Sequence, residues 1–179
     1  MTIAADRAQE IADATVARLR PLDLDGLVLY DIADEAERNP TERPFPFMPT
    51  LDPAAFLADN LTGWRAPVVV YRAVSKYSRP ELQSWLVDQD PSRVMAVLVG
   101  TASSNTRPTM SLKGAQVLAR EVKPRLLRGG VAIPERHTRR DDEHLRLVAK
   151  QGGGARFLWT QVVDELDPAK NRGQCDPVA

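Results

Sequence analysis

The chain has 179 residues, of which 43% are apolar and 27% are charged, and both fractions are ordinary for a folded globular domain. This length can bury one substantial core and is short for two. The 24 basic residues balance 24 acidic ones, so the zero net charge excludes the strongly basic composition typical of proteins that bind nucleic acids or anionic membranes.

The sequence also predicts the compartment. A single cysteine, Cys175, excludes a disulfide bond within the chain and suits a reducing environment. The first ten residues, MTIAADRAQE, lack the basic start and apolar block of a secretion signal, and no apolar run approaches the length of a membrane span. We therefore expect a cytoplasmic protein with no membrane or nucleic-acid partner.

The first half of the chain predicts helices that alternate with strands. Five apolar side chains share one face of an amphipathic helix: Ala8, Ile11, Ala12, Val16 and Leu19. Pro21 ends this helix, and an apolar strand follows over 24–32. After a proline-rich loop, Asp52 or Thr50 can cap a helix that runs to residue 61. The next apolar run, over 66–74, is rich in β-branched residues and predicts a second strand.

The second half continues the alternation. Ser78 and Glu81 have the spacing of a capping box, which opens a helix that runs to residue 87. A strand over 94–100 and a helix over 111–122 follow. The last unit, over 129–164, predicts a strand, a helix over 142–150, a stop at three consecutive glycines and a final strand.

Five continuous apolar runs, each followed by a helix or the start of one, predict an α/β fold with parallel strands. Two architectures fit this order: an open doubly wound sheet and part of an eight-stranded barrel. No glycine-rich phosphate loop follows the first strand, and its absence favours the barrel. We predict a partial or truncated (β/α)8 TIM-type barrel with outer helices, as a single domain over 1–171 with a C-terminal tail over 172–179.

Polar side chains follow the strands of the last unit. Glu135 and His137 come after the strand near residue 133, and Gln161 follows the strand near residue 160. Because ligands of α/β folds bind outside the carboxyl ends of parallel strands, we expect the site at this edge. The residues alone leave two roles open for Glu135, contact with a ligand or a salt bridge to a nearby arginine. Gln161 can likewise bond a ligand or neighbouring backbone.

Other polar groups have simpler explanations. His137 and His144 stand seven positions apart, which matches no usual spacing of metal ligands, so we expect no metal site. Asp31 follows the first strand and could serve as an acid or base. Arg72 and Lys76 close the second strand and could bind a glutamate tail or a phosphate. For all three, a solvated rim is the simpler interpretation.

Three short stretches resemble motifs of the methylenetetrahydrofolate reductase family. The stretch AIPERH over 132–137 resembles the family's G-Y-P-E-G-H after the fifth barrel strand. The stretch FLWTQ over 157–161 resembles F-I-I-T-Q on the sixth strand, and LVGT over 98–101 falls where the family has L-R-G-D after the fourth. The order and spacing of the elements agree over nearly the whole chain.

The resemblance implies an oxidoreductase of one-carbon metabolism, which passes a hydride from a reduced nicotinamide or a flavin to 5,10-methylenetetrahydrofolate. It implies that Gln161 contacts the pterin of the folate substrate. It also implies that four residues line the cofactor side: Glu135, His137, Gly100 and Thr101. The implied cofactors are NADH or NADPH, and FAD.

The sequence departs from the family at several positions. Thr101 stands where the family has an aspartate near the flavin ring, and Val99 stands where it has an arginine. FAD is therefore less expected than NAD(P)H. By the same resemblance, the strand with the family's proton-donating glutamate precedes the part present here, and the last two strands follow it. The alternative function is a catalytically silent truncated barrel that acts as a binding or assembly module, and whether the chain is an enzyme stays open.

A barrel shortened in this way has two unpaired strand edges. Such edges pair readily with other chains, and the apolar loop from Phe45 to Met48 adds contact surface. We therefore predict a homo-oligomer.

Overall fold

A computed structural model describes residues 7–31, 51–100, 109–134 and 141–160. In chain order the elements are α1 (Ala8–Leu19), β1 (Leu27–Leu29), α2 (Pro53–Asn60), β2 (Val68–Ala73), a 3-10 turn (Val74–Lys76), α3 (Arg79–Asp88), β3 (Val94–Val99), α4 (Leu112–Val122), β4 (Leu127–Ala132), α5 (Glu143–Gly152) and β5 (Phe157–Thr160). The five strands and five helices all fall where the sequence predicts them, with ends displaced by a few residues.

The strands form one parallel sheet in the order β1-β2-β3-β4-β5. Each strand is thus joined to its spatial neighbour by a crossover connection. Because such crossovers are right-handed, connections that all run in one direction place their helices on the same face of the sheet. The main core agrees with this, since it combines side chains of α1 to α4 with alternate residues of β2 and β3.

This architecture corrects the predicted TIM-type barrel. Among the described residues, β1 and β5 each pair with one neighbour, so the sheet is open. A barrel closes only when enough strands, at a matched tilt and stagger, bring the last strand beside the first. The observed fold is an α/β half-barrel with five parallel strands and helices, and it is not a full (β/α)8 barrel.

The core lies between the helices and the sheet. Its fully buried side chains include Val68 and Val70 of β2 and Leu82 and Leu86 of α3. Three of the described helices, α2, α3 and α4, begin at side-chain caps. For α2, Asp52 accepts a hydrogen bond from the Ala54 N–H at 2.8 Å. Such caps satisfy donors that the first helical turn leaves free.

The capping box of α3 is present as predicted. Ser78 N–H donates to Glu81 Oε2 at 2.7 Å, and Glu81 N–H donates to Ser78 Oγ at 3.4 Å. This reciprocal pair fixes where α3 starts after β2, and it thereby fixes the path of the turn that carries Lys76 and Tyr77.

The opposite face of the sheet carries a smaller apolar cluster. Val69, Tyr71 and Val97 are its buried members, and the side chains packed against them also come from strands. The ring of Phe157 lies over Gly129 on this face, because a Cβ at Gly129 would be only 2.3 Å from Phe157 Cε2. Among the described helices, none is long and apolar enough to cross a membrane.

Candidate functional site

The carboxyl ends of the five strands lie at one edge of the sheet, because the sheet is parallel throughout. Ionisable side chains gather at two places along this edge. One group lies at the ends of β1 and β2, and we call it the Asp31 cluster, made of Asp31, Lys76 and Tyr77. The other lies beyond β4, and we call it the Glu143 cluster, made of Glu143 and Lys150.

Asp31 is a buried carboxylate whose side chain has no exposed surface. Its Oδ2 accepts hydrogen bonds from the Ala73 N–H and from the Tyr77 hydroxyl, both at 2.8 Å. Its Oδ1 forms an ion pair with Lys76 Nζ at 2.5 Å. Burial of a charge is tolerated when it is paired and hydrogen-bonded in this way.

A buried arginine stands next to this cluster. The Arg72 guanidinium forms an ion pair with Asp52, the N-cap of α2. Its Cζ lies 3.7 Å from the centre of the Tyr77 ring and 4.8 Å from that of Trp85, distances that allow cation–π attraction. Arg72 thus ties β2 to the start of α2 and orients the Tyr77 ring. The sequence interpretation of Asp31 and Arg72 as a solvated rim is wrong, since both residues are buried.

The phenol of Tyr77 is held in its protonated form. Burial, as the largest cause, raises its pKa, the Arg72 charge opposes that shift, and the Asp31 carboxylate adds to it. The hydroxyl therefore donates to Asp31 across the physiological pH range. The arrangement binds a proton firmly and does not suit Tyr77 to act as a base.

The Glu143 cluster stands where α5 begins. Glu143 Oε1 accepts a hydrogen bond from the Ile133 N–H at 3.1 Å and lies 3.5 Å from Lys150 Nζ. Lys150 also donates to the Val131 carbonyl oxygen. Glu143 Oε2 is buried, and among the described residues it has no hydrogen-bond partner. A buried carboxylate oxygen without a donor is unfavourable, and it marks unused hydrogen-bonding capacity at this edge.

Sequence reasoning missed the role of Glu143. In the sequence, Glu143 is one of several acidic residues near the first turn of a helix. The helix dipole favours acidic residues there, so the sequence gives no reason to expect a further role. The structure instead turns this side chain into the sheet edge, where only 3% of the residue is exposed. Glu143 stands at the start of a helix that follows a strand, and this position could have indicated a place at the sheet edge. The acids Asp141 and Asp142 stand at the same point in the sequence, so the position alone does not single out Glu143.

Most of the residues predicted to form the site lie outside the described parts of the chain. These are Glu135, His137, Thr101 and Gln161, whose cofactor and substrate roles stay predictions. Gly100 is described and follows β3, midway along the carboxyl edge. A Cβ at Gly100 would lie 3.8 Å from Leu112 Cβ, which is an ordinary contact. The structure alone therefore does not require glycine there.

Among the described residues, no group of three or more histidine, cysteine, aspartate and glutamate side chains is arranged to hold a metal ion. The chemistry available at the edge is that of hydrogen bonding and charge. Carboxylates accept from N–H groups, and the Lys76 and Lys150 ammonium groups donate to anionic or carbonyl oxygens.

The sequence was compared with models of protein families and with curated proteins. No family model matches the chain, and no curated protein matches it. The predicted membership of the methylenetetrahydrofolate reductase family therefore has no support from either comparison.

A solved structure does match. It is that of an uncharacterized protein from Clostridium thermocellum, which binds two copies of 5-methyl-5,6,7,8-tetrahydrofolic acid. The two structures agree with a TM-score of 0.76 and 33% sequence identity. The match covers 94% of this chain and 53% of the neighbour's chain, so this chain spans about half of that protein.

Proposed function

We propose that this chain binds a reduced folate at the carboxyl edge of its parallel sheet. The observation that carries the proposal is the structural neighbour, which binds a reduced folate and matches nearly all of this chain at 33% identity. The position of polar groups at the ligand-binding edge of an α/β fold supports the same conclusion.

The chemistry of a folate fits this edge. The pterin presents N–H donors beside a carbonyl acceptor, so it needs a carboxylate or an amide as its partner. Among the described residues, no donor reaches Glu143 Oε2. In the sequence Gln161 directly follows β5, the strand that pairs with β4, and its amide is the proposed second partner of the pterin.

Isothermal titration calorimetry with 5-methyltetrahydrofolate tests the proposal. We expect saturable binding by the unsubstituted chain. We expect Glu143→Gln to weaken binding roughly 10- to 150-fold, since a hydrogen bond to a charged group contributes about 1.5–3 kcal/mol. Glu121→Gln, on the exposed surface of α4, is the matched control and leaves the affinity unchanged. A chain that stays folded but does not bind the folate overturns the proposal. Binding that Glu143→Gln leaves intact removes only the role of Glu143.

The finer proposal is a redox reaction. A hydride passes from NAD(P)H, which becomes NAD(P)+, to the methylene carbon of 5,10-methylenetetrahydrofolate. The bond from that carbon to N10 breaks, and N10 takes up a proton to give 5-methyltetrahydrofolate. The neighbour's ligand, 5-methyltetrahydrofolate, is the product of that chemistry. Under this proposal Glu135, His137, Gly100 and Thr101 line the side of the nicotinamide or of a flavin. The test is folate-dependent loss of nicotinamide absorbance, measured with and without added FAD.

The second candidate is a binding or assembly module without catalysis. Large apolar side chains exposed at the β5 end of the sheet favour it. Folate binding without nicotinamide oxidation supports a binding module, and oxidation that depends on the folate removes this candidate.

A further inference from the structure

Aromatic side chains line the face of the sheet opposite the main core. The ring centres of Tyr30 and Tyr71 lie 4.7 Å apart, and Tyr71 is a buried member of the smaller cluster on this face. Phe157 packs against the same cluster. Because side chains alternate along a strand, Trp159 points to the same face as Phe157. We call these four side chains the aromatic face.

The contacts of the residue before Trp159 support this orientation. A Cβ at Gly130 would lie 3.1 Å from Lys150 Cδ of α5 and 3.4 Å from Leu158 Cδ2, so Leu158 points to the side of the sheet that α5 covers. Trp159, the next residue, therefore points away from α5. It is 36% exposed, so part of its indole is open to a ligand.

The aromatic face is apolar and uncharged. Among the described strand residues that point to it, none has a charged side chain, and between the aromatic rings it presents Val97 and Val131. The charged side chains of β2 and β4, Arg72 and Arg128, instead contact α3 and α4 on the other side. Such a surface offers nothing to a carboxylate or a phosphate. It suits the flat face of an uncharged aromatic ring.

Trp159 lies one strand away from the carboxylate of the proposed folate site. It pairs with Val131 of β4, and Ile133, two residues further along, donates its N–H to Glu143. A strand rises about 3.3 Å per residue and neighbouring strands are about 4.8 Å apart, so the two positions differ by roughly 7 Å along the sheet and 5 Å across it. The two fused rings of a pterin span a comparable distance. A ring whose polar edge reaches Glu143 can thus lay its face over Trp159.

We propose that Trp159 stacks on the pterin ring of the bound reduced folate and is a specificity-determining residue of the site. The inference rests on the proposed folate binding and deepens it. The indole contacts the flat face of the pterin, while Glu143 accepts a hydrogen bond from its edge. The anionic tail of the folate lies away from the aromatic face, because that face carries no charge to pair with it.

Calorimetry with 5-methyltetrahydrofolate tests the contact. We expect Trp159→Ala to weaken binding roughly 5- to 150-fold, the range found when an aromatic side chain that stacks on a nucleic-acid base is removed. Trp159→Phe keeps a ring and is expected to retain most of the affinity. Tyr30→Ala is the matched control, because Tyr30 is a 50% exposed aromatic residue at the other end of the same face, beside β1. Circular dichroism confirms that each variant folds.

The outcomes separate this inference from the proposed function. An unsubstituted chain that binds the folate, with equal affinity in Trp159→Ala, overturns the stacking and leaves the folate site standing. Equal losses in Trp159→Ala and Tyr30→Ala also overturn the assignment to Trp159. A folded chain that does not bind the folate at all overturns both proposals.

Nuclear magnetic resonance of the indole N–H groups tests the contact without relying on a loss of affinity. The chain has three tryptophans, and Trp64 and Trp85 are buried in the main core. The signal that is absent from Trp159→Phe belongs to Trp159. We expect this signal to shift on saturation with 5-methyltetrahydrofolate, because the ring current of a stacked pterin acts on it, and the other two to stay in place. A Trp159 signal that does not move overturns the stacking.

Two fragments of the folate show which ring is in contact. A tetrahydropterin without the benzoyl-glutamate tail is expected to shift the Trp159 signal, and p-aminobenzoyl-glutamate is expected to leave it unchanged. The reverse result overturns the assignment of the pterin to Trp159.

Discussion

Buried charge at the level of single residues holds the ends of β1 and β2 together. Asp31 receives hydrogen bonds from the Ala73 N–H and the Tyr77 hydroxyl and pairs with Lys76. These partners follow Asp31 by more than forty positions, so one carboxylate joins segments that are distant in the chain. We interpret Asp31 as a residue that positions the edge on which the site is built.

The first prediction concerns the removal of this carboxylate. Asp31→Ala leaves the Ala73 N–H and the Tyr77 hydroxyl without their acceptor in a buried place. Loss of one partner of a buried pair destabilises a protein by roughly 3–5 kcal/mol. Urea unfolding measures the change. The control is Asp13→Ala on the exposed surface of α1, which is expected to cost less than about 0.5 kcal/mol. Equal losses for the two variants would contradict the role of Asp31.

The second prediction concerns alkaline pH. Burial raises the pKa of Tyr77 in the folded protein above its unfolded value of about 10. The contribution of Tyr77 to the free energy of unfolding is therefore fully present below a pH of about 10. It declines as the pH rises toward the pKa of the folded protein, because in that range only the unfolded chain loses the proton. The decline is at most about 1.4 kcal/mol per pH unit for one group.

Urea unfolding between neutral pH and strongly alkaline pH measures this dependence. Tyr77→Phe cannot ionise, so its stability is expected to fall less steeply as the pH rises. Tyr30→Phe, at a tyrosine that is 50% exposed, is the control and keeps the slope of the unsubstituted chain. If Tyr77→Phe shows the same slope as the unsubstituted chain, Tyr77 does not contribute.

At the level of elements, local chemistry in the sequence predicts most of the fold. The Ser78 capping box and the Asp52 cap are visible as short spacings, and both are present. The first strand is shorter than predicted, at Leu27–Leu29 against 24–32. An apolar run shows which residues can adopt an extended conformation, but not how many of them pair with another strand. In the part of the chain that the structure describes, β1 pairs with β2 alone.

The third prediction concerns the fit between β4 and β5. Gly129 leaves room for the Phe157 ring, which a Cβ would meet at 2.3 Å. Gly129→Ala is therefore expected to destabilise the chain by about 1–3 kcal/mol, the usual range for an overpacked site. Gly63→Ala is the control, because no described residue lies within 4 Å of a Cβ at Gly63. Thermal or urea unfolding gives both values.

A second substitution shows whether the clash is the cause. Phe157→Leu shortens the side chain over Gly129, so adding Gly129→Ala to it is expected to cost less than adding Gly129→Ala to the unsubstituted chain. The difference is the coupling energy of the double-mutant cycle. Additive effects would mean that the ring does not restrict Gly129.

At the level of the whole molecule, the sequence predicts a parallel α/β sheet but not its closure. Five apolar runs joined by helices fit both an open sheet and a barrel. Each run indicates that its own strand is buried, but it does not indicate whether the first and last strands pair. The clusters at the carboxyl edge depend on long-range contacts: Asp31 and Tyr77 are 46 positions apart. Local patterns carry no information on such a pair. The roles of Glu135, His137, Thr101 and Gln161 stay predictions.

The last prediction concerns how stability is distributed across the sheet. The central strand β2 is buried at all six positions, whereas three of the four residues of β5 are exposed. Amide hydrogens of β2 and β3 are expected to exchange slowest, and those of β5 faster, because exposed elements with few buried contacts open locally. If the homo-oligomer predicted from the sequence forms through the β5 edge, raising the protein concentration slows exchange at Phe157 and Trp159 and leaves Val70 unchanged. Hydrogen exchange at two concentrations measures both effects, and a concentration-independent rate at β5 would count against pairing through that edge.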